Sequence, residues 1–302
     1  MTEQEYTALQ TKLTDAQYLT CEMKDELTVI NVHHPLFQAE LTTQGAQLLR
    51  FRAQNRDWLW LSDKAEYKRG TSLRGGIPVC WPWFGDAAKN PTAIRTMISS
   101  DQPPAHGFAR SHEWELRSFS ESDESVEIRL ALAPGQHPSW KGDASVELSM
   151  SLSSAALVLR LTTTAGQSPV CYSQALHTYF PTSEIDSTHI EGLSGNHYID
   201  ALDRWSEKTQ EGAVTFNEET DRIYAVDRPL VLTTPEYKMR LTGNNHTAVV
   251  WNPWVEKSKR LSQFDDDAWQ RMFCVESANV MQDAVQLQPG ESHTLEMRLE
   301  LE

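Results

Sequence analysis

Residues 145–163 read SVELSMSLSSAALVLRLTT. In the first half Val146, Leu148, Met150 and Leu152 alternate with Glu147, Ser149 and Ser151, the period of two that puts successive side chains on opposite faces of a strand. The pattern resumes after Ser153-Ser154, so 145–152 and 155–163 read as two strands, each with one buried face. Working outward, the same alternation marks ELTVINV (26–32), AQLLRFR (46–52), EWELRSF (113–119) and SVEIRLALA (125–133) upstream. Downstream it returns in NHYIDAL (196–202), PLVLTT (229–234), EYKMRLT (236–242), TAVVWN (247–252) and HTLEMRLEL (293–301). Turn signals such as Thr242-Gly243-Asn244-Asn245 and Gln288-Pro289-Gly290 punctuate the series. Many short strands with few helical patterns specify an all-β chain, an antiparallel sandwich or barrel. No Pro/Gly/Ser linker or fixed-period repeat divides it, so one large β-sandwich is the economical architecture.

The front of the chain differs. Thr2 and Glu5 stand at capping-box spacing and Leu9 and Leu13 are four apart, which predicts a short amphipathic helix within residues 2–15. The expected division is therefore an N-terminal helical extension, 1–25, and a β-sandwich, 26–302, that carries the site.

At 302 residues and 39% hydrophobic content the chain can bury a large core. Lys and Arg number 27 against 42 Asp and Glu, a net charge of -15, which argues against nucleic-acid or anionic-membrane partners. Any anionic ligand then needs a local basic pocket. No leader pattern or bilayer-length apolar run is apparent, and the expected location is cytoplasmic. Cys21, Cys80, Cys171 and Cys274 form no C-x-x-C pair, so neither a zinc site nor disulfides are expected.

Four segments break the alternation: LRGGIPVCWPWFG (73–85), PAHGFAR (104–110), QALHTYFP (174–181) and FCVES (273–277). Each combines aromatic residues or glycine with an ionisable group, the composition a sugar site needs, since ring faces stack on aromatics while hydroxyls demand polar partners. Arg74 precedes Gly75-Gly76, which permit close backbone approach to a ligand, and Pro78 and Pro82 stiffen the chain beyond them. Arg74 either meets an anionic oxygen or marks a structural turn; Arg110 either completes a clamp on a dianion or pairs with Glu113 or Glu115. His106 either hydrogen-bonds a ring oxygen or satisfies a core contact. His177, between Leu176 and Tyr179-Phe180, is either a half-buried core imidazole or a proton donor suited to neutral pH. Glu276, following Phe273-Cys274-Val275, sits where desolvation would raise its pKa toward that of a useful base.

Together LRGGIPVCWPWFG, HGFAR, ALHTYF, ETDRIY (219–224) and CVES resemble the hexose-6-phosphate mutarotase family, the glucose-6-phosphate 1-epimerases, within the galactose-mutarotase-like superfamily, over roughly residues 26–301. The resemblance implies the large antiparallel supersandwich of that superfamily and an isomerase interconverting the α and β anomers of glucose 6-phosphate and related aldohexose 6-phosphates. It assigns His177 as general acid, Glu276 as general base, Arg74 and Arg110 to the 6-phosphate, and His106 and Asp221 to the sugar. Glu218, Glu219 and Asp221 also read as a solvated acidic loop. Ala105 stands before the His of HG-x-AR where some members have a polar residue, and Gln102 is the substitute for that contact. The expected partner is a small sugar phosphate, with no cofactor, no metal, no nucleic acid and no membrane, bound by a monomer. Rival readings are a non-catalytic carbohydrate-binding sandwich, an aldose 1-epimerase for free sugars, and a glycoside hydrolase, which usually pairs two carboxylates. Asp265-Asp266-Asp267 reads as a solvated loop, and Lys257, Lys259 and Arg260 as a basic patch either exposed or edging the phosphate pocket.

Overall fold

The computed structural model describes residues 2–132 and 137–302. The strands predicted from residues 145–163 are Ala144–Ser153 and Leu157–Ala165, paired antiparallel with Leu148 opposite Leu161, Met150 opposite Leu159 and Leu152 opposite Leu157. They lie in a nine-stranded sheet that runs Val214–Thr215, His189–Glu191, Leu230–Thr233, Lys238–Gly243, Ser292–Leu301, Leu157–Ala165, Ala144–Ser153, Ser125–Leu132, Trp114–Glu121. Of the predicted segment 125–133, Ala133 lies outside the described residues. The sheet's inner face carries Ile128, Leu148, Met150, Leu159, Leu161, Met297 and Leu299, none more than 1% exposed. Each such side chain contributes roughly 1.5–3 kcal/mol of burial.

The second layer is an eight-stranded sheet. Its order is Ser206–Thr209, His197–Asp200, Thr220–Ala225, Thr247–Asn252, Met272–Asn279, Gln174–Leu176, Val79–Cys80, with Tyr179–Pro181 also paired to Met272–Asn279. Val79, Leu176, Val250, Phe273 and Val275 on one face of this sheet share a buried cluster with Met297 and Leu299 of the nine-stranded sheet. The chain is thus an all-β antiparallel sandwich with its core between the two sheets.

A five-stranded meander, Leu19–Lys24, Leu27–His34, Phe37–Thr42, Leu48–Ala53 and Arg56–Asp57, adds a third sheet. Its first strand, LTCEMK, falls within the segment read as a helical extension; only Leu19 is buried there, so no alternation announced it. The helix itself forms at Glu3–Lys12, with Thr2 and Glu5 completing the capping box and Leu9 buried. Four cysteines are free, and no helix among the described residues is long and apolar enough to cross a membrane.

The tryptophan-rich loop works differently from its sequence reading. Trp81 and Trp83 are 2% and 0% exposed and pack into the core; Trp81 meets Phe108, Trp140 and Tyr172 at centroid distances of 5.5, 4.8 and 6.3 Å. Trp81 O accepts from Phe108 N–H at 3.0 Å and Ala109 N–H at 3.2 Å, while Trp83 Nε1 donates to Pro104 O at 2.8 Å. The loop therefore staples down the 104–110 segment. Gly76 likewise approaches protein, with N–H to Trp60 O at 2.7 Å, and a Cβ there would lie 2.2 Å from Leu48 O. Gly107, at φ +71, would place a Cβ 2.0 Å from Trp81 O. Gly107→Ala combines that clash with left-handed strain, and a loss of about 2 kcal/mol or more in denaturant unfolding is expected; a wild-type midpoint would refute this packing.

Candidate active site

The pairing registers show which residues share each face of the eight-stranded sheet. Glu276 stands opposite Val249, and Trp251 opposite both Cys274 and Asp221. Paired residues point to the same side, so Asp221, Ile223, Val249, Trp251, Cys274 and Glu276 occupy one face. Phe273 and Val275 point the other way, into the main core. Met272–Asn279 is buried at every position, and a strand covered on both sides has no polar face with which to alternate. FCVES broke the sequence pattern for that reason although it lies within a strand. QALHTYFP is likewise two three-residue strands, Gln174–Leu176 and Tyr179–Pro181, both paired to Met272–Asn279. His177 sits in the break between them, its N–H donating to Pro78 O at 3.0 Å.

A cleft of about 330 Å³ opens on this face, lined by Arg74, His106, His177, Asp221 and Glu276 together with Phe84, Lys89, Tyr179, Trp205, Trp251 and Lys257. A hollow of about 400 Å³ beneath the N-terminal helix, lined by Leu9, Lys12 and Trp114, holds no imidazole.

His177 Nε2 lies 3.4 Å from Glu276 Oε1 at the base of the cleft. His177 is 8% and Glu276 1% exposed, and His177 Nδ1 and Glu276 Oε2 have no hydrogen-bond partner. The imidazole stacks on Tyr179 at 4.9 Å with 12° between planes. Burial pushes the imidazole down, with the charges of Arg110 and Arg74 adding to the effect. Burial pushes the Glu276 carboxyl up, Asp221 reinforcing the shift and Arg110 opposing it. Both groups favour their neutral forms, so the pair holds a single proton.

His106 lies beside it, ring centroid 5.6 Å from that of His177. Its Nδ1 accepts from Gly85 N–H at 3.3 Å, which leaves Nε2 to carry the ring proton. Burial, then Arg110, His177 and Arg74, hold its imidazole well below the usual value, so it is a neutral donor. Arg74 is clipped in place by its own backbone: Ser62 N–H donates to Arg74 O at 3.0 Å, and buried Gln47 Nε2 donates to Leu73 O at 2.9 Å and Gly75 O at 2.8 Å. Its Nη1 reaches Tyr179 Oη at 3.5 Å, and its buried Nε has no partner.

Asp221 belongs to Thr220–Ala225, on the cleft face. Burial pushes its carboxyl up to about 6, with Lys257 opposing and Glu219 and Asp200 assisting. Lys257 Nζ stands 3.2 Å from Glu219 and 3.9 Å from Asp221. Lys259 and Arg260 turn to Glu256 instead. Arg110 Nη2 donates to Ala105 O at 2.8 Å; the side chain is absent from the cleft lining, although its charge reaches His106, His177 and Glu276. Glu115 pairs with Arg117 at 2.6 Å. Gln102 is exposed, its N–H on Ser100 Oγ at 3.2 Å, and does not line the cleft. In the triple-aspartate loop Asp265 meets Lys64 at 2.8 Å and Asp267 meets Arg271 at 2.9 Å.

Residues 28–300 match the sequence model of the aldose 1-epimerase family. The chain belongs to that family. It is an isomerase that interconverts sugar anomers. A protein named "Putative glucose-6-phosphate 1-epimerase" from Escherichia coli K12 is 32% identical over 262 residues, 84% of each chain. One of the same name from Cenchrus ciliaris is 33% identical over 284 residues, 84% of this chain and 78% of its own. A crystal structure titled as a putative mutarotase from Salmonella typhimurium superposes with a TM-score of 0.84 at 26% identity, covering 95% of this chain and 94% of that one.

Sequence reasoning missed Trp205 and Lys89 of this epimerase's cleft, which sit on turns with no motif around them, and left Lys257 undecided. The raised Glu276 carboxyl has a measurable consequence for stability. The native state holds that proton more tightly than the unfolded chain, so its contribution to stability is lost as pH rises above the ordinary value of 4.5. Glu276→Gln should therefore gain thermal stability relative to wild type between pH 5 and pH 8 in calorimetry. A difference in Tm that stays constant with pH would contradict the buried-carboxyl reading.

Proposed function

We propose that this enzyme interconverts the α and β anomers of glucose 6-phosphate and related aldohexose 6-phosphates, with His177 and Glu276 as its acid–base pair. The observation that carries the reading is the 3.4 Å separation of His177 Nε2 and Glu276 Oε1 in a cleft whose lining also holds Arg74, Lys89 and Lys257 alongside the carboxylates Asp86 and Asp221. The anomeric hydroxyl O1 and ring oxygen O5 hang from the same carbon, so a donor and an acceptor side by side serve both. A glycoside hydrolase instead spreads two carboxyls about 5–9.5 Å apart across the scissile bond.

In ring opening, Glu276 takes the O1 proton as His177 delivers one to O5; the C1–O5 bond breaks and C1=O1 forms. Rotation about C1–C2 and the reverse transfers close the other anomer. The competent ion pair and the resting neutral pair differ only in the position of one proton across the 3.4 Å gap. His106 Nε2–H is a neutral donor available to the ring oxygen or a neighbouring hydroxyl, and Asp221 accepts from sugar hydroxyls. Arg74, with no carboxylate partner among the described residues, meets the phosphate, and Arg110 adds positive field from behind His106. The names of the relatives support the phosphorylated substrate.

Two measurements test this. Arg74→Ala should raise KM for glucose 6-phosphate about tenfold or more, and far more than it raises KM for free glucose; equal effects on both sugars would remove the phosphate role. The pH profile of kcat/KM should be a broad bell, because the singly protonated pair of the free enzyme persists from about 3, to which burial pushes His177, to well above the ordinary carboxylate value of 4.5. A profile following one unperturbed imidazole near 6.5 would contradict it.

A further inference from the structure

Lys89 and Trp205 line the same cleft from separate elements, and the acid–base chemistry above uses neither. Lys89 ends the Ala87–Lys89 turn, which Asp86 caps through Ala88 N–H at 2.9 Å. Asn90 anchors that turn, donating to Phe84 O at 2.8 Å and Asp86 O at 3.0 Å and accepting from Ser173 Oγ at 2.6 Å. Trp205 comes from the connection between His197–Asp200 and Ser206–Thr209. Arg204 and Trp205 there are consecutive non-glycine residues at φ +52 and +60, a conformation that L side chains adopt only under strain.

That strain is met by a polar stitch. Asp200 accepts from Leu202 N–H at 3.1 Å and Asp203 N–H at 3.3 Å, and Lys208 bridges Asp200 at 2.8 Å and Asp203 at 2.9 Å. The strained connection directs the indole toward the cleft, where it packs against the buried cluster that includes Ile223 and Val249, and Lys89 Nζ stands 5.4 Å over its ring. Among the described residues no carboxylate pairs with Lys89, whereas Lys257, the other cleft lysine, is already held by Glu219 and Asp221. In a chain of net charge -15, a cation resting on an indole face beside a sugar site is free to change partner at little cost.

We propose that Lys89 and Trp205 form a substrate clamp, the indole face stacking on the hexose ring while Lys89 leaves it to pair with the phosphate dianion. The proposal rests on the sugar-phosphate reading of the site. Stacking serves any pyranose, since C–H faces are common to all of them; the lysine serves only the phosphorylated one. The two side chains therefore separate ring recognition from charge recognition.

Steady-state anomerisation of glucose 6-phosphate and of free glucose tests this with wild type, Lys89→Gln, Lys89→Arg, Trp205→Leu and Trp205→Phe. Lys89→Gln should raise KM for the phosphate ester about tenfold with kcat within about twofold and no change on glucose, and Lys89→Arg should restore most of it. Trp205→Leu should raise KM for both sugars and Trp205→Phe should recover most of that loss. A wild-type preference for the phosphate ester that survives intact in Lys89→Gln overturns the clamp while leaving the substrate reading standing. A wild type that treats both sugars alike overturns the substrate reading itself. Unchanged KM in Trp205→Leu, with an unaltered melting temperature, removes the stacking role.

Discussion

Glu276 is 1% exposed in a strand that is buried at every position, and its nearest ionisable partner is an imidazole 3.4 Å away. Taking a charged pair out of water costs several kcal/mol per ion before attraction repays it. The site accommodates this by letting the pair stay neutral with one shared proton, so the fold never has to bury an uncompensated charge. In the proposed mechanism that same proton is the one moved when the hemiacetal opens. The constraint that makes Glu276 tolerable in the core also prepares it for transfer, because a carboxyl held above its ordinary range is a stronger base when ionised.

Everything around the pair serves to keep it dry and fixed. The two sheets press Phe273 and Val275 into the common core, which fixes the opposite face of the strand and thus the direction of Glu276. The break between Gln174–Leu176 and Tyr179–Pro181 brings His177 over that face, and Tyr179 stacking sets the plane of its ring. Trp81 and Trp83, by bonding the 104–110 backbone, hold His106 beside it. Support for the pair thus comes from packed aromatic residues, Trp81 and Trp83 outside the cleft lining and Tyr179 within it.

Much of this was legible in the sequence and the remainder was not, for physical reasons. Strands with one wet face announce themselves by alternation, as 145–163 did, and the two strands form there at Ala144–Ser153 and Leu157–Ala165. Met272–Asn279 was opaque because burial on both sides erases the period, and Leu19–Lys24 because burial on almost no side does the same. His177 and Glu276 stood out as ionisable groups in apolar runs, which is what a buried acid–base pair must look like in one dimension. Trp205 and Lys89 gave no such signal, since one owes its place to a left-handed turn and the other to a single 3₁₀ turn. The glycine and tryptophan loop was noticed for the right segment and the wrong contact: its close approaches are to Leu48, Trp60 and Gly107 backbone, not to a ligand.

The most direct test of the account is anomer exchange on glucose 6-phosphate, followed by NMR saturation transfer with wild type and Glu276→Gln at equal concentration. Enhanced exchange with wild type and a loss of about 10³-fold or more in the variant, both proteins folded, is the expected result. Exchange that persists in Glu276→Gln would contradict the shared-proton pair as the catalytic device.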